Sequence, residues 1–192
     1  KSSMFHIFER LNTGGTPLRP QEIRNCVYAG KIIDRLHQLN SLASWRSVIG
    51  RKKPEKHQRD IEFILRIFSL WLDWEKYEKP MKVFLNEHMG AHRSGDTEEF
   101  DSFASGFEQI SAYLFEILGE KPFHIRGPIN LAAMDSVYVA CLRNVSRIKD
   151  MTTERFYDLI NDQKFRGSIF FNTSDAVEVK KRMKEAEKRL FG

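Results

Sequence analysis

Residues 61–74 read Ile-Glu-Phe-Ile-Leu-Arg-Ile-Phe-Ser-Leu-Trp-Leu-Asp-Trp, and this stretch decides the fold. Ile61, Phe63, Ile64, Leu65, Ile67, Phe68, Leu70, Trp71 and Leu72 place apolar side chains on nearly every face of a helix. A surface helix needs one apolar stripe, whereas a helix apolar all round must be covered by others on all sides. The segment therefore predicts an all-α, multi-helix bundle with a buried central helix.

Toward the C-terminus, Pro80 starts a helix through Phe84, Leu85 and Met89, and Gly90 to Gly95 reads as a mobile loop. Asp96 with Glu99 three residues later suggests the cap of the next helix. Phe100, Phe103, Phe107, Ile110, Leu114 and Ile117 then recur in steps of three and four, a core-facing stripe that Gly119 ends. Asn130 caps a helix whose buried face is Leu131, Met134, Val137, Tyr138, Cys141, Leu142 and Val145. Thr152 or Thr153 caps a short helix, and Ser168 to Asn172 reads as a loop with aromatic anchors. The final helix, from about Asp175 to Phe191, buries Val179, Met183, Ala186 and Leu190, with Lys180, Lys181, Arg182, Lys184, Lys188 and Arg189 on its polar side.

Toward the N-terminus, Gly50 to Arg59 is polar, basic and interrupted by Pro54, which makes it a surface loop. Before it lie a turn near Trp45 and a helix marked by Ile32, Ile33, Leu36 and Leu39. Pro20 suits the first position of the helix carrying Ile23 and Val27. Met4, Phe5, Ile7, Phe8 and Leu11 mark the earliest helix, which Asn12-Thr13-Gly14-Gly15 stops. At least seven helices, no alternating strand pattern and no internal repeat give one helical domain over residues 1–192.

The composition excludes several classes. An apolar share of 41% beside 30% charged residues belongs to a folding chain, and 15 Phe with three Trp predict an aromatic core. No apolar run approaches the roughly 20 residues of a membrane helix, and nothing at the start reads as a signal peptide. Two isolated cysteines, Cys26 and Cys141, rule against a disulfide framework or thiolate zinc site and suit a reduced, cytoplasmic setting. His88 and His92 stand four apart, but Gly90 lies between them and no Glu follows His88, so no metal site is expected. No catalytic motif occurs. The net charge of +5 is compatible with a polyanionic partner. Because the first residues already sit inside a helical pattern, the chain reads as a piece whose preceding domain is missing.

Two segments carry functional weight, each with a plainer alternative. Phe8 to Asn25 sets a glycine pair between two helices, with Arg10 and Asn12 before it and Glu22, Arg24 and Asn25 after it. Paired glycines let backbone N–H groups approach an anion, and the helix starting near Pro20 adds a positive dipole end. The alternative is a glycine stop followed by a proline start. The basic stretch Arg46, Arg51, Lys52, Lys53, Lys56, His57 and Arg59 reads either as a phosphate-contacting loop or as a solvated surface.

The first segment, through Phe8, Arg10, Asn12, Gly14, Gly15, Leu18, Glu22, Arg24 and Asn25, resembles the signature of GmrSD-type restriction-endonuclease N-terminal domains. These have a ParB/sulfiredoxin-like core and an Asp-Gly-Gln-Gln-Arg motif ahead of the signature helix. Weaker similarity continues through Ile61 to Arg66, Met81 to Met89, Ile129-Asn130 with Met134 to Val137, and Thr173 with Arg182. The resemblance spans almost the whole chain, but only the first 25 residues are specific. Glu9, Arg10 and Asn12 also stand where ParB-type proteins carry a phosphate- and metal-contacting box. This sequence has neither Asp-Gly-Gln-Gln-Arg nor a His-Asn-His-type nuclease motif.

The resemblance thus implies the later, helical half of a larger α/β protein, not catalytic alone, in a bacterial phage-defence or restriction system acting on modified or foreign DNA. A ParB-like N-terminal domain would be its partner, and a nucleoside triphosphate with Mg would belong to the full-length parent. Arg10, Asn12, Thr13, Gly14, Gly15, Glu22, Arg24 and Asn25 are then the nucleotide-site candidates, and Arg51, Lys52, Lys53, Lys56 and Arg59 the DNA-contact candidates. The competing reading is a non-catalytic helical module for partner docking or homodimerisation.

Overall fold

Helical periodicity becomes helix along the chain. The computed structural model describes Met4, Phe5, Ile7, Arg10 and residues 17–192, and among these residues there is no strand. Ten α-helices follow the helical Met4, Phe5, Ile7 and Arg10: α1 Pro20–Val27, α2 Lys31–Asn40, α3 Ala43–Val48, α4 Arg59–Asp73, α5 Met81–Ala91, α6 Glu98–Leu118, α7 Leu131–Arg143, α8 Thr153–Asn161, α9 Gln163–Phe170 and α10 Ala176–Phe191. None of them is long and apolar enough to cross a membrane. The glycine stop expected at Asn12 to Gly15 lies outside the described residues.

Local chemistry sets the helix starts. Pro20 occupies the first turn of α1, where its missing N–H costs nothing. The side chains of Thr97, Asn130, Thr152 and Asp162 accept from the backbone N–H of Phe100, Ala133, Arg155 and Phe165, at 3.2, 2.9, 3.2 and 2.9 Å. Each such cap stabilises by about 1 kcal/mol.

The expected central helix is α4. It packs against α1, α2, α5 and α7, and Ile61, Ile64, Leu65, Ile67, Phe68 and Leu70 are buried. On one side α3 lies along α6; on the other α10 lies along α7, α8 and α9. Aromatic rings tie the layers together. The Trp45 and Phe107 centroids lie 5.0 Å apart, Phe107 and Tyr138 5.3 Å, and Phe68 stands 5.0 Å from both Phe100 and Phe103. Such pairs add about 0.5–1.5 kcal/mol each beyond area burial. Gly106 lets α6 approach α7, since a Cβ there would sit 3.0 Å from Leu142 Cδ2.

Four local expectations are corrected. Gly90 lies inside α5, not in a loop, because the Tyr28 ring packs where a Cβ would meet it at 3.1 Å. The turn that follows is pinned by Arg35 Nη1 donating to the Gly95 carbonyl at 2.5 Å and by Lys31 pairing with Asp96 at 2.7 Å. The cap of α6 is Thr97, so Asp96 stands one residue too early. Ser168 to Phe170 belong to α9, and Phe171 anchors nothing: it is 69% exposed. Finally, Arg182 does not join the polar side of α10. It is fully buried, whereas Lys180, Lys181 and Arg189 pair with Glu78, Glu178 and Asp162 at 3.4, 3.8 and 2.6 Å.

Candidate functional site

The basic loop between α3 and α4 is built around one guanidinium. Arg46 Nη1 donates to Asp60 Oδ2 at 2.7 Å and to Asn40 Oδ1 at 2.9 Å, while its Nε donates to the Arg51 carbonyl at 2.7 Å and Nη2 to the Lys53 carbonyl. Asp60 also accepts from Glu55 N at 2.9 Å. Burial pushes the Asp60 carboxyl up, but the Glu55 N–H, Arg46 and Asn40 outweigh it and hold the group below its ordinary value. Glu55 in turn accepts from His57 N at 3.1 Å and Arg59 N at 3.0 Å, satisfying orphan donors at the start of α4.

Arg46 is consequently a strut and not a surface cation, being only 7% exposed. The five cations expected to contact DNA behave differently. Lys52, Lys53, Lys56 and Arg59 are exposed and Arg51 is half-buried, and none pairs with a carboxylate among the described residues. Beside them opens a cleft of about 400 Å³ lined by Arg51, Lys52 and Lys121, with Glu120 as its one acid among the described residues. Their contrast with the paired cations of α10 is physical: a cation already matched to a carboxylate gains little from a phosphate, and an unmatched one gains more.

The segment after the glycine pair meets this same loop. Glu22 Oε2 accepts from Arg19 N at 2.6 Å, and Glu22 Oε1 stands 3.6 Å from His57 Nδ1. Asn25 accepts from Gln21 Nε2 at 3.0 Å and donates to Gln58 Oε1. Gln58 holds φ at 58°, the left-handed region that non-glycine residues adopt at a cost of about 1–3 kcal/mol, a strain that clusters at ligand clamps and switch regions. Arg19, His57, Arg59, Glu55 and Glu62 line a cleft of about 290 Å³, and Pro17 and Leu18, which follow the glycine pair, line a neighbouring one with His57.

The sequence candidates divide accordingly. Arg24 is 1% exposed; its Nη1 donates to Glu62 at 2.7 Å and Gln21 at 3.0 Å, and its Nε to Asn86 at 2.8 Å. Burial lowers its pKa against the pull of Glu62. These bonds to Glu62 and Asn86 let Arg24 position α1 against α4 and α5. Glu22 and Asn25 are half-buried, and Arg10 is exposed on its helix. Asn12, Thr13, Gly14 and Gly15 lie outside the described residues.

Sequence reasoning missed Arg19, Gln58 and the Arg46–Asp60 pair. One signal was available: Asp60, Glu62 and Arg66 stand among the apolar residues of this helix, and charges so placed need partners. Glu62 finds Arg24, and Arg66 finds Asp135 at 2.5 Å. His88 and His92 stack with ring centroids 6.3 Å apart, and His88 Nε2 lies 3.8 Å from Asp73. The described residues gather no set of three His, Cys, Asp or Glu side chains that could hold a metal ion.

Comparisons with protein-family models, with curated proteins and with solved structures found nothing that matches this chain.

Proposed function

We propose that this chain is the helical, non-catalytic part of a nucleotide-dependent protein that acts on DNA, of the restriction or phage-defence kind that its N-terminal signature resembles. In this reading the unpaired cations of the α3–α4 loop contact phosphates, and the signature residues Arg10 to Asn25 contribute to a nucleotide site. One observation supports the reading: α1 touches the cationic loop, with Asn25 donating to Gln58 and Glu22 Oε1 standing 3.6 Å from His57 Nδ1.

The test is fluorescence anisotropy with a labelled random-sequence duplex over a salt series. Binding should be sequence-insensitive and steeply salt-dependent. The triple variant Arg51→Ala, Lys52→Ala, Lys53→Ala should bind more weakly and flatten the logarithmic salt slope by up to about three. Unchanged affinity and slope in the triple variant would leave the loop as a solvated surface. In the longer protein, Arg10→Ala and Asn12→Ala should each weaken nucleotide binding about tenfold to a hundredfold at unchanged melting temperature.

A further inference from the structure

On the surface of the bundle where α9 ends, two arginines converge on one phenylalanine. The Arg126 guanidinium lies 4.3 Å from the Phe170 ring centroid, and that of Arg166 lies 5.5 Å from it. Phe170 is half-buried against the core, whereas Arg126 is exposed. Arg166 Nη1 reaches two neutral acceptors, the Ile160 carbonyl at 3.3 Å and Asn161 Oδ1 at 3.5 Å. Among the described residues Arg126 makes no hydrogen bond, and neither arginine has a carboxylate partner. Stacking fixes the plane of the Arg126 guanidinium and leaves its N–H fork free, which lowers the ordering cost of gripping a phosphate.

The next residue, Phe171, is 69% exposed. A surface phenylalanine standing alone needs no explanation. This one stands on a fastened backbone beside two unmatched cations. Asp175 N donates to the Asn172 carbonyl at 2.8 Å, Arg182 Nη1 to that of Thr173 at 2.6 Å, and the Tyr77 hydroxyl to that of Ser174 at 2.8 Å. The ring is presented to solvent with little backbone freedom left to lose on binding.

Charge selects the kind of partner. Residues 119–130 and 163–174 together carry Lys121, Arg126, Lys164 and Arg166 but a single acid, Glu120. Asp162, at their edge, is matched by Arg189 at 2.6 Å. The connection from α6 to α7 also reaches the cationic loop. Lys121 N donates to the Ser47 carbonyl at 3.2 Å, and Lys121 lines the cleft of Arg51 and Lys52. Arg126 follows five residues later, at most about 18 Å from Lys121. Cations and an aromatic face in one strip match a strand that offers phosphates and unpaired bases together. A duplex offers the phosphates alone, because its base faces are stacked on one another.

We propose that Arg126, Arg166, Phe170 and Phe171 form a platform for single-stranded DNA. A base stacks on Phe171, the adjoining phosphates meet the Arg126 and Arg166 forks, and the strand runs on toward the Arg51 to Lys53 loop. The proposal deepens the DNA reading given above and rests on it for the choice of polymer.

The test is fluorescence anisotropy of the whole chain with labelled oligothymidylate and with a duplex of equal length. Wild type should bind the single strand more tightly than the duplex. Phe171→Ala should weaken single-strand binding about fivefold to a hundredfold at unchanged melting temperature and leave duplex binding unaltered. Phe171→Trp should retain single-strand binding, and oligothymidylate should quench the fluorescence which that substitution adds. Arg126→Ala should flatten the logarithmic salt slope for the single strand by about 0.7. The two readings fail separately. Duplex binding unchanged in the triple variant Arg51→Ala, Lys52→Ala, Lys53→Ala, beside single-strand binding lost in Phe171→Ala, would remove the loop reading and support the platform. Single-strand affinity of Phe171→Ala equal to wild type would overturn the proposal, as would tighter binding of the duplex than of the single strand. Tighter binding of oligouridylate than of oligothymidylate would reassign the platform to RNA, and self-association abolished by Phe171→Ala would reassign it to a second copy of the chain; either result sinks the DNA proposal.

Discussion

The Arg46–Asp60 pair is the most direct test of how the basic loop is held. Asp60→Asn keeps the shape of the side chain and one acceptor but removes the buried negative charge, leaving Arg46 uncompensated. Asp60 is 0% exposed and Arg46 8% at the side chain, so solvent cannot take over the lost partner. Breaking a buried pair from one side costs about 3–5 kcal/mol. Here the carbonyls of Arg51 and Lys53 and the Asn40 amide oxygen still receive the guanidinium, which puts the expected loss near the lower end, about 3 kcal/mol. For a chain of this size that corresponds to a fall in Tm of about 6–12 °C. Urea unfolding should show a reduced midpoint at unchanged m-value. Hydrogen exchange should quicken at Arg51, whose N–H donates to the Arg46 carbonyl at 2.9 Å. The pH dependence has a definite sign. The folded carboxyl of Asp60 is held below the ordinary value of 3.8, so its contribution is complete above that pH and disappears as the pH falls through the folded value. The acid limb of wild-type stability should therefore be steeper than that of Asp60→Asn. A urea midpoint for Asp60→Asn equal to wild type would refute the reasoning and reduce Arg46 to an incidental contact.

Three further outcomes are expected. Phe107→Ala, which removes the ring packed between Trp45 and Tyr138, should cost about 3–5 kcal/mol in urea unfolding, and a loss under about 1 kcal/mol would contradict the packing described. Brief alkylation of the native chain should modify Cys26, which is exposed, and spare Cys141, whose thiol burial pushes well up; two labels by mass spectrometry would place Cys141 wrongly. Burial lowers the pKa of His88 from 6.5, with Asp73 opposing, so stability is full above that pH and declines as the unfolded imidazole takes up its proton below it. His88→Gln should remove up to about 1.4 kcal/mol per pH unit of that decline, and an identical slope in both proteins would show that other groups produce it.

The parts of the fold legible in the sequence are those set by local periodicity and caps. The Phe100 to Ile117 stripe, the Asn130 cap and the apolar run of α4 each carry their signal within a few turns of chain. What escaped depends on distant partners. Gln163–Phe170 is too short to show a period, and it becomes helical with Asp162 as cap and Phe165 and Ile169 buried. Arg182 looked like one more surface cation because its neighbours in sequence are such cations, while Asp135, 47 positions earlier, draws it inward. At the candidate site, the basic composition located the loop, but nothing local separates the strut Arg46 from the unpaired Arg51 to Lys53. Only the position of Asp60 makes that distinction.

A helix that is apolar on every side has no means of telling its own faces apart. Around most of its circumference α4 presents leucine, isoleucine or phenylalanine, so apolar contact alone separates neighbouring faces weakly. Glu62 and Arg66, one turn apart, break that degeneracy, because each must meet a single opposite charge: Arg24 on α1 and Asp135 on α7. A rotation or a slide by one turn would separate both pairs and leave the buried Arg24 and Asp135 without their partners. The pair therefore acts as a key cut into an otherwise featureless cylinder, fixing both its angle and its depth. The cleft that Glu62 lines inherits its alignment from that setting.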